Sequence, residues 1–542
     1  MARYLFGSTA DYVIAPDEAG RASLIAGVPV TAWSAATGGT QHTDLLAADG
    51  VTPLLDGQLV TDNAGAVPEF WGPDGVQSLY LDANGGGGPR RRTLTSDLGA
   101  AFSAATSGSV AKSTATAKGD LLVADASASV TRLGVGGLGE TLVADPASAA
   151  GVRWGSPWRR RDMPDQVLAD SLYSGAAPTI ATTQTTTPTS GYIRYSPAPI
   201  ALTGTDVRGP YTWAGAGNFT AGTVAPDTNY VLPLSRYPNT YASGQSHWSV
   251  EFGTDAQVMQ VRFKYISTAS MYRLSIDGRK VTDLMQSSGG TTAGSGHMLT
   301  IDLGSAAPRR IRLDFTTMPF GGVYLPPSAS MWQVMHRGGR FMALCDSIGD
   351  GSNQNTGAGQ GTWVHRTGRL LGSTDVWEQG RGGTGYITPG TTATFGTRAP
   401  IDVIPWAPDR LVIWGGYNDN SGSQSAIAAA ATDLYAVIRA GVPKAQVLVA
   451  GCWAPTGSPA ASIVNTDETL RAAASSVGYP FASPVTGNVY DATGNLVAEQ
   501  GPWIRAGQVA AYVGADNVHP TDAGHAYLAR RMVSALTATL PA

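Results

Sequence analysis

The chain has 542 residues, 43% of them hydrophobic but only 14% charged, with 68 glycines and 33 prolines. That length exceeds what one hydrophobic core usually serves, so several domains are expected, built from short strands and turns more than from long surface helices. A net charge of −4 supplies no basic footprint for nucleic acid, and no 18-residue apolar run is present to span a membrane.

The opening MARYLFGSTADYVIAPDEAG lacks the apolar core of a secretory signal. Residues 1–95 read as a β-rich unit. Alternating stretches such as Val28–Trp33 and Ser78–Leu81 are separated by Gly, Asp, Asn and Pro turn signals. The unit closes on Gly85–Pro89, which reads as a hinge, followed by Arg90–Arg92. This basic run and a second, Arg159–Arg161, sit at segment junctions and read as solvated or interface charges.

Residues 96–157 turn to Ala, Ser, Thr and Gly and contain an internal repeat. GDLLVADASASVTRLG (Gly119–Gly134) is echoed by GETLVADPASAAGVRWG (Gly139–Gly155). A unit this small needs stacked neighbours to bury its apolar face, which points to a stalk stabilised by other copies of the chain; the alternative is a linker without fixed structure. The repeat and the opening of the chain, over roughly the first 155 residues, resemble segments of phage tail fibres and minor tail proteins. That resemblance implies a virion tail component, made in the host cytoplasm and acting at the host surface. Its implied partners are other tail proteins and further copies of itself, a trimer being the usual state of such fibres.

Residues 158–337 read as a second β domain. Trp248–Phe252, Val258–Ile266, Met271–Ile276, His297–Leu303 and Arg309–Phe315 alternate apolar with polar residues, the mark of half-buried strands, and Asp277–Gly278 is a two-residue hairpin signal. The pattern predicts a jelly-roll-like sandwich. It is similar to the accessory sandwich that often precedes a carbohydrate-active esterase domain.

In residues 338–542 the period changes. Strands are expected at Phe341–Leu344, Leu411–Trp414 and Ala445–Ala450, with a helix over Ser425–Ala440 that stops at Gly441–Pro443. Strands alternating with helices predict a parallel sheet with ligands at the carboxyl ends of its strands. Four blocks fall at such ends. Cys345-Asp-Ser-Ile-Gly349 follows the first strand, and a helix after it would aim backbone N–H groups at developing negative charge. Gly380-Arg-Gly-Gly-Thr-Gly385 lets backbone approach a ligand closely. Gly415-Gly-Tyr-Asn-Asp419 offers a neutral amide donor. Asp516-Asn-Val-His519 pairs a base with a group able to hold its tautomer, before a closing helix at Thr521–Arg531.

Any one block alone is commonplace. Together, in this order, they resemble the SGNH (GDSL-type) hydrolases over residues 338–542, which implies a three-layer α/β fold. The resemblance assigns Ser347 as nucleophile, with His519 and Asp516 as its base and orienter. The oxyanion donors would be Ser347 itself, Gly383 (less surely Gly382) and Asn418. Cys345 departs from the family's usual glycine and is expected to be tolerated. Tyr417, Trp453 and Trp503 are candidates for the acyl pocket, or else core residues. His365 and His525 read as structural. No histidine spacing suggests a metal site, and no cofactor is expected. The two cysteines, Cys345 and Cys452, read as free thiols.

The expected activity is removal of acyl groups, acetyl foremost, from a host surface polysaccharide. A catalytically inactive receptor-binding module and a lipid or cell-wall esterase are the alternatives.

Overall fold

The structure is a computed structural model that describes residues 3–7, 13–16, 22–83, 90–96, 120–126, 129–134, 141–144, 151–155, 171–221, 228–236, 247–351 and 358–540. The Gly85–Pro89 hinge and the Arg159–Arg161 run lie outside the described residues. The chain divides into two compact units, one of 1–135 with 145–152 and one of 136–144 with 153–542.

In the first unit, Arg91–Leu94, Ser78–Asp82, Pro29–Trp33 and Gln41–His42 form an antiparallel sheet in that order, with Gln58–Val60 also paired to Pro29–Trp33. Alternation along these strands puts Val30, Ala32, Leu59, Leu79 and Leu81 into a small core with Tyr4, Phe6 and Phe70. Arg91 and Arg92 are exposed on the strand Arg91–Leu94. Arg90 lies 3.6 Å over the Trp33 ring and 3.3 Å from Asp82. The first copy of the repeat folds into a hairpin, Leu121–Ala126 with Ser129–Leu133, that leaves Leu122 and Val130 exposed.

The second unit contains a two-sheet β-sandwich and an α/β sheet. One sandwich sheet runs Thr179–Thr183, Gly296–Asp302, Val258–Lys264, Phe320–Leu325, Ile193–Ser196. The other runs Thr212–Ala214, His247–Thr254, Arg309–Thr316, Met271–Ile276, Arg279–Lys280. Asp277 and Gly278 turn the last hairpin with φ of 51° and 85°, as a type I′ turn requires. Trp248, Val250, Phe252, Ile311, Leu313 and Phe315 fill the core between the sheets.

The period-2 pattern suggests that these strands are half-buried, yet His247–Thr254 is buried along its whole length. Its polar face docks on the α/β part instead of facing water. Arg312 pairs there with Glu251 and Asp314, and Arg273 and Arg369 also reach Asp314.

The α/β sheet has five parallel strands in the order Val376–Gly380, Phe341–Cys345, Arg410–Trp414, Gln446–Ala450, Phe481–Ala482, then two antiparallel ones, Asn488–Tyr490 and Leu496–Glu499. Successive side chains alternate between two cores. Phe341, Ala343, Cys345, Val412 and Trp414 face the helices Trp363–Leu370 and Asp522–Ala538. Met342, Leu344, Leu411 and Ile413 face the helices Phe395–Asp402, Gln424–Gly441 and Ala461–Ser476. Helices on both faces make three layers. The Ala-rich helix Gln424–Gly441 starts where Ser423 Oγ accepts from the Ala426 N–H and ends before Pro443, whose ring blocks another turn. Among the described residues no helix is long and apolar enough to cross a membrane.

Candidate active site

Ser347 opens a one-turn helix, Ser347–Asp350, directly after the strand Phe341–Cys345. The helix expected after the strand is this single turn, which ends where Gly351 takes φ 79°. Asp346 caps the turn by accepting from the Ile348 N–H at 2.9 Å. Burial pushes the Asp346 carboxyl up to about 7. Cys345 is fully buried, and a Cβ on Gly349 would sit 2.0 Å from its Sγ. The thiol thus occupies the space that glycine leaves at 349, which is how the strand end accommodates a side chain at 345. Both cysteines are free and buried.

His519 arrives from the far end of the domain. Its ring Nε2 is 2.8 Å from Ser347 Oγ, and its Nδ1 is 2.6 Å from Asp516 Oδ2. The other oxygen of Asp516 accepts from the Val518 and His519 N–H groups at 3.0 and 2.9 Å. Partial burial opposes the Asp516 charge, but these donors outweigh it and hold the carboxyl at about 2. The loop is pinned from outside as well, since Trp453 Nε1 donates to the Val518 carbonyl at 2.8 Å. An ionised carboxylate on Nδ1 fixes the tautomer that leaves Nε2 free to accept the serine proton.

Asn418 donates through Nδ2 to the Thr384 carbonyl at 2.9 Å and, at 3.4 Å, to Asp346. It therefore joins the serine turn to the glycine-rich loop. Gly383 is exposed with φ 73°, and only Gly390 Cα, at 3.8 Å, lies near the position of a Cβ. The Gly382 N–H is engaged by Asp350 Oδ2 at 3.0 Å. Tyr417 is half-buried at the edge of the core. Trp453 and Trp503 are 1% and 0% exposed and pack edge-on against Trp414, so they support the wall from behind and present no surface to a ligand. This corrects their assignment to the acyl pocket. His525 is buried with Nδ1 accepting from the Trp363 N–H, and burial holds it neutral, down to about 3.

Several residues that hold the site are invisible to motif reading. Asp419 fills the space beside Gly385 and accepts from the Tyr386, Ile387 and Thr388 N–H groups. Arg398, fully buried, donates to the Cys345 carbonyl and Thr384 Oγ1. Arg236, from the sandwich, donates to Asp350 at 2.8 Å and to the Gly380 carbonyl, and lies 3.4 Å from Glu378. Only the adjacency of Asp419 to Asn418 was available as a signal.

His247, Asp350 and Glu378 place ligand-type atoms within 4.8 Å of one another. The Arg236 guanidinium already supplies the positive charge of that cluster, so the donor set does not suit a cation.

Residues 343–527 match the GDSL-like Lipase/Acylhydrolase family. A GDSL lipase of Mycobacterium tuberculosis is 27% identical over 206 residues, covering 36% of this chain and 80% of that protein. Among solved structures, a salicylyl-acyltransferase from a tetracycline biosynthetic pathway is similar with a TM-score of 0.47 and 14% identity, over 65% of this chain and 98% of that one. A family two carbohydrate esterase from Clostridium thermocellum, in complex with cellohexaose, gives 0.40 and 14%, over 60% and 97%. The match over residues 343–527 and the curated relative support an ester hydrolase similar to the GDSL-type acylhydrolases in this part of the chain.

Proposed function

We propose that the chain hydrolyses acyl esters through a covalent serine intermediate, and that its substrate is an O-acylated, foremost O-acetylated, polysaccharide on the host surface. The observation that carries the mechanism is the hydrogen-bonded series Ser347–His519–Asp516, at 2.8 and 2.6 Å. Ser347 Oγ attacks the ester carbonyl as His519 Nε2 takes its proton. His519 then gives that proton to the departing sugar hydroxyl, and a water activated by the same nitrogen releases the acid. The oxyanion is held by the N–H of Ser347, which as a first-turn group has no partner within the helix, by the Gly383 N–H and by the Asn418 amide. Each such donor contributes roughly 3 kcal/mol. For Asn418 this means exchanging its bond to the Thr384 carbonyl for one to the oxyanion.

A polysaccharide is favoured by the sandwich ahead of the hydrolase and by the repeat whose texture resembles phage tail proteins. On this reading the chain is a tail component that works in several copies. A lipid ester, the substrate class in the name of the mycobacterial relative, is the second reading. Acetate release from candidate host polysaccharides, compared between wild type and Ser347→Ala, tests the proposal. Release by wild type alone supports it. Activity on long-chain esters without acetate release from any glycan moves the substrate to lipid.

A further inference from the structure

Where the polar face of the sandwich meets the helix Trp363–Leu370, positive charge outnumbers negative. Arg310 and Arg312 share Glu251, while Arg273, Arg312 and Arg369 share Asp314. Two carboxylates thus answer four guanidiniums, and the exposed Arg337 adds a fifth at the rim. A cavity of about 50 Å³ opens in this seam, lined among others by Arg310, Arg312, Arg337, His365 and Arg369.

Two of those side chains are left unsatisfied. Arg369 Nη1 and both ring nitrogens of His365 are buried without a hydrogen-bond partner, and His365 is only 2% exposed. Buried donors of this kind are rarely left empty-handed, least of all on a charged group. Burial and the neighbouring Arg273 bring the Arg369 guanidinium down to about 9, and His365 is likewise held well below its usual range. Burial is the main cause of both shifts, and the surrounding guanidiniums add to it. One water needs roughly 10–15 Å³ by the same measure of volume, so the cavity admits a single small ion and excludes a sugar.

We propose that this seam cavity binds one small inorganic anion, a halide or a single tetrahedral oxyanion, through Arg369 Nη1, His365 and Arg337. The ion completes the charge balance of the surface on which the sandwich docks against the hydrolase domain. It is separate from the Ser347 site, and its role is to hold the two parts together.

The test uses the full chain. Thermal unfolding is followed at constant ionic strength and pH while sodium gluconate, whose anion is too large for the cavity, is replaced stepwise by sodium chloride, bromide or sulfate. The wild type is expected to gain a saturable rise in Tm with at least one small anion. Arg337→Ala, an exposed change that spares the core, shifts half-saturation to roughly tenfold higher anion or more, the loss of one charge-assisted contact. His365→Phe removes both ring nitrogens and abolishes the response. Crystals soaked in bromide are expected to show anomalous density in the cavity. No response in wild type, an equal response in Arg337→Ala, or density without any solution response, meaning an adventitious ion only, overturns the proposal. Should His365→Phe fail to fold, Arg337→Ala alone decides.

Discussion

Asp516 receives three hydrogen bonds, one from the His519 ring and two from backbone N–H groups, and stays ionised far below neutral pH. Asp516→Asn preserves the size of the side chain but offers Nδ1 a mixed donor and acceptor, so the imidazole loses its fixed tautomer. The kcat on a short aryl ester is expected to fall on the order of 10³–10⁴-fold with little change in KM, measured by steady-state kinetics. Asn418→Ala removes one proposed oxyanion donor and is expected to lower kcat by roughly 10²–10³-fold.

Asp467 gives a prediction about stability. Burial pushes its carboxyl up to about 7, against hydrogen bonds from Ser483 and the Cys452 N–H. The folded state therefore keeps a proton that the unfolded chain has already lost between about pH 4 and 7. The resulting stabilisation is full below pH 4 and lost as pH rises through 7. Asp467→Asn is expected to remove that slope, worth on the order of a few kcal/mol, from denaturant titrations run between pH 5 and 8.

At the scale of elements, the serine turn and the glycine-rich loop are held in place by side chains from elsewhere in the fold. Asp350 ends the serine turn, accepts from Gly382 and is paired with Arg236 of the sandwich. Arg236→Ala leaves the half-buried Asp350 and the buried Glu378 without their guanidinium and frees the loop. A loss of about 3–5 kcal/mol in stability is expected from the unpaired charges. A fall in kcat exceeding that in kcat/KM for binding-deficient variants, measured on protein verified as folded, would show that the loop's position matters to the chemistry.

What the sequence reveals at this scale follows from the range of each signal. Strand alternation, the Asp277–Gly278 turn and the Thr521 cap are local, and all can be read directly, whereas the Ser423 cap starts its helix at Gln424, one residue before the expected Ser425. The docking of Arg236 on Asp350 and the Gly380 carbonyl depends on contacts over a hundred residues away, which no spacing rule conveys. Trp453 and Trp503 mislead for a related reason. An aromatic near a motif reads the same whether it lines a pocket or backs it, and only the packing against Trp414 separates the two.

For the whole molecule, the consequence is that the sandwich and the hydrolase sheet are a single structural unit, joined through buried ion pairs instead of a spacer. The outer sandwich strands read from sequence as half-exposed because their polar residues were assigned to water. In the fold Asp314 meets Arg369 of the helix Trp363–Leu370, and Arg312 donates to the Thr374 carbonyl just before the strand Val376–Gly380. Expression of residues 338–542 alone is therefore expected to yield insoluble or weakly active protein, whereas 171–542 retains the soluble, active form; gel filtration and ester turnover distinguish the two. Stability carried by charge pairs at such a seam is also more exposed to loss of one partner than an apolar interface is.

Ser347 is the proposed site of the covalent intermediate. Its most direct measurement is labelling of the full chain with a fluorophosphonate, followed by peptide mass spectrometry and assay of residual esterase activity. The geometry predicts one adduct, on Ser347, with activity lost in proportion to labelling and no adduct in Ser347→Ala. Labelling at another serine with loss of activity, or full activity in Ser347→Ala, would contradict it.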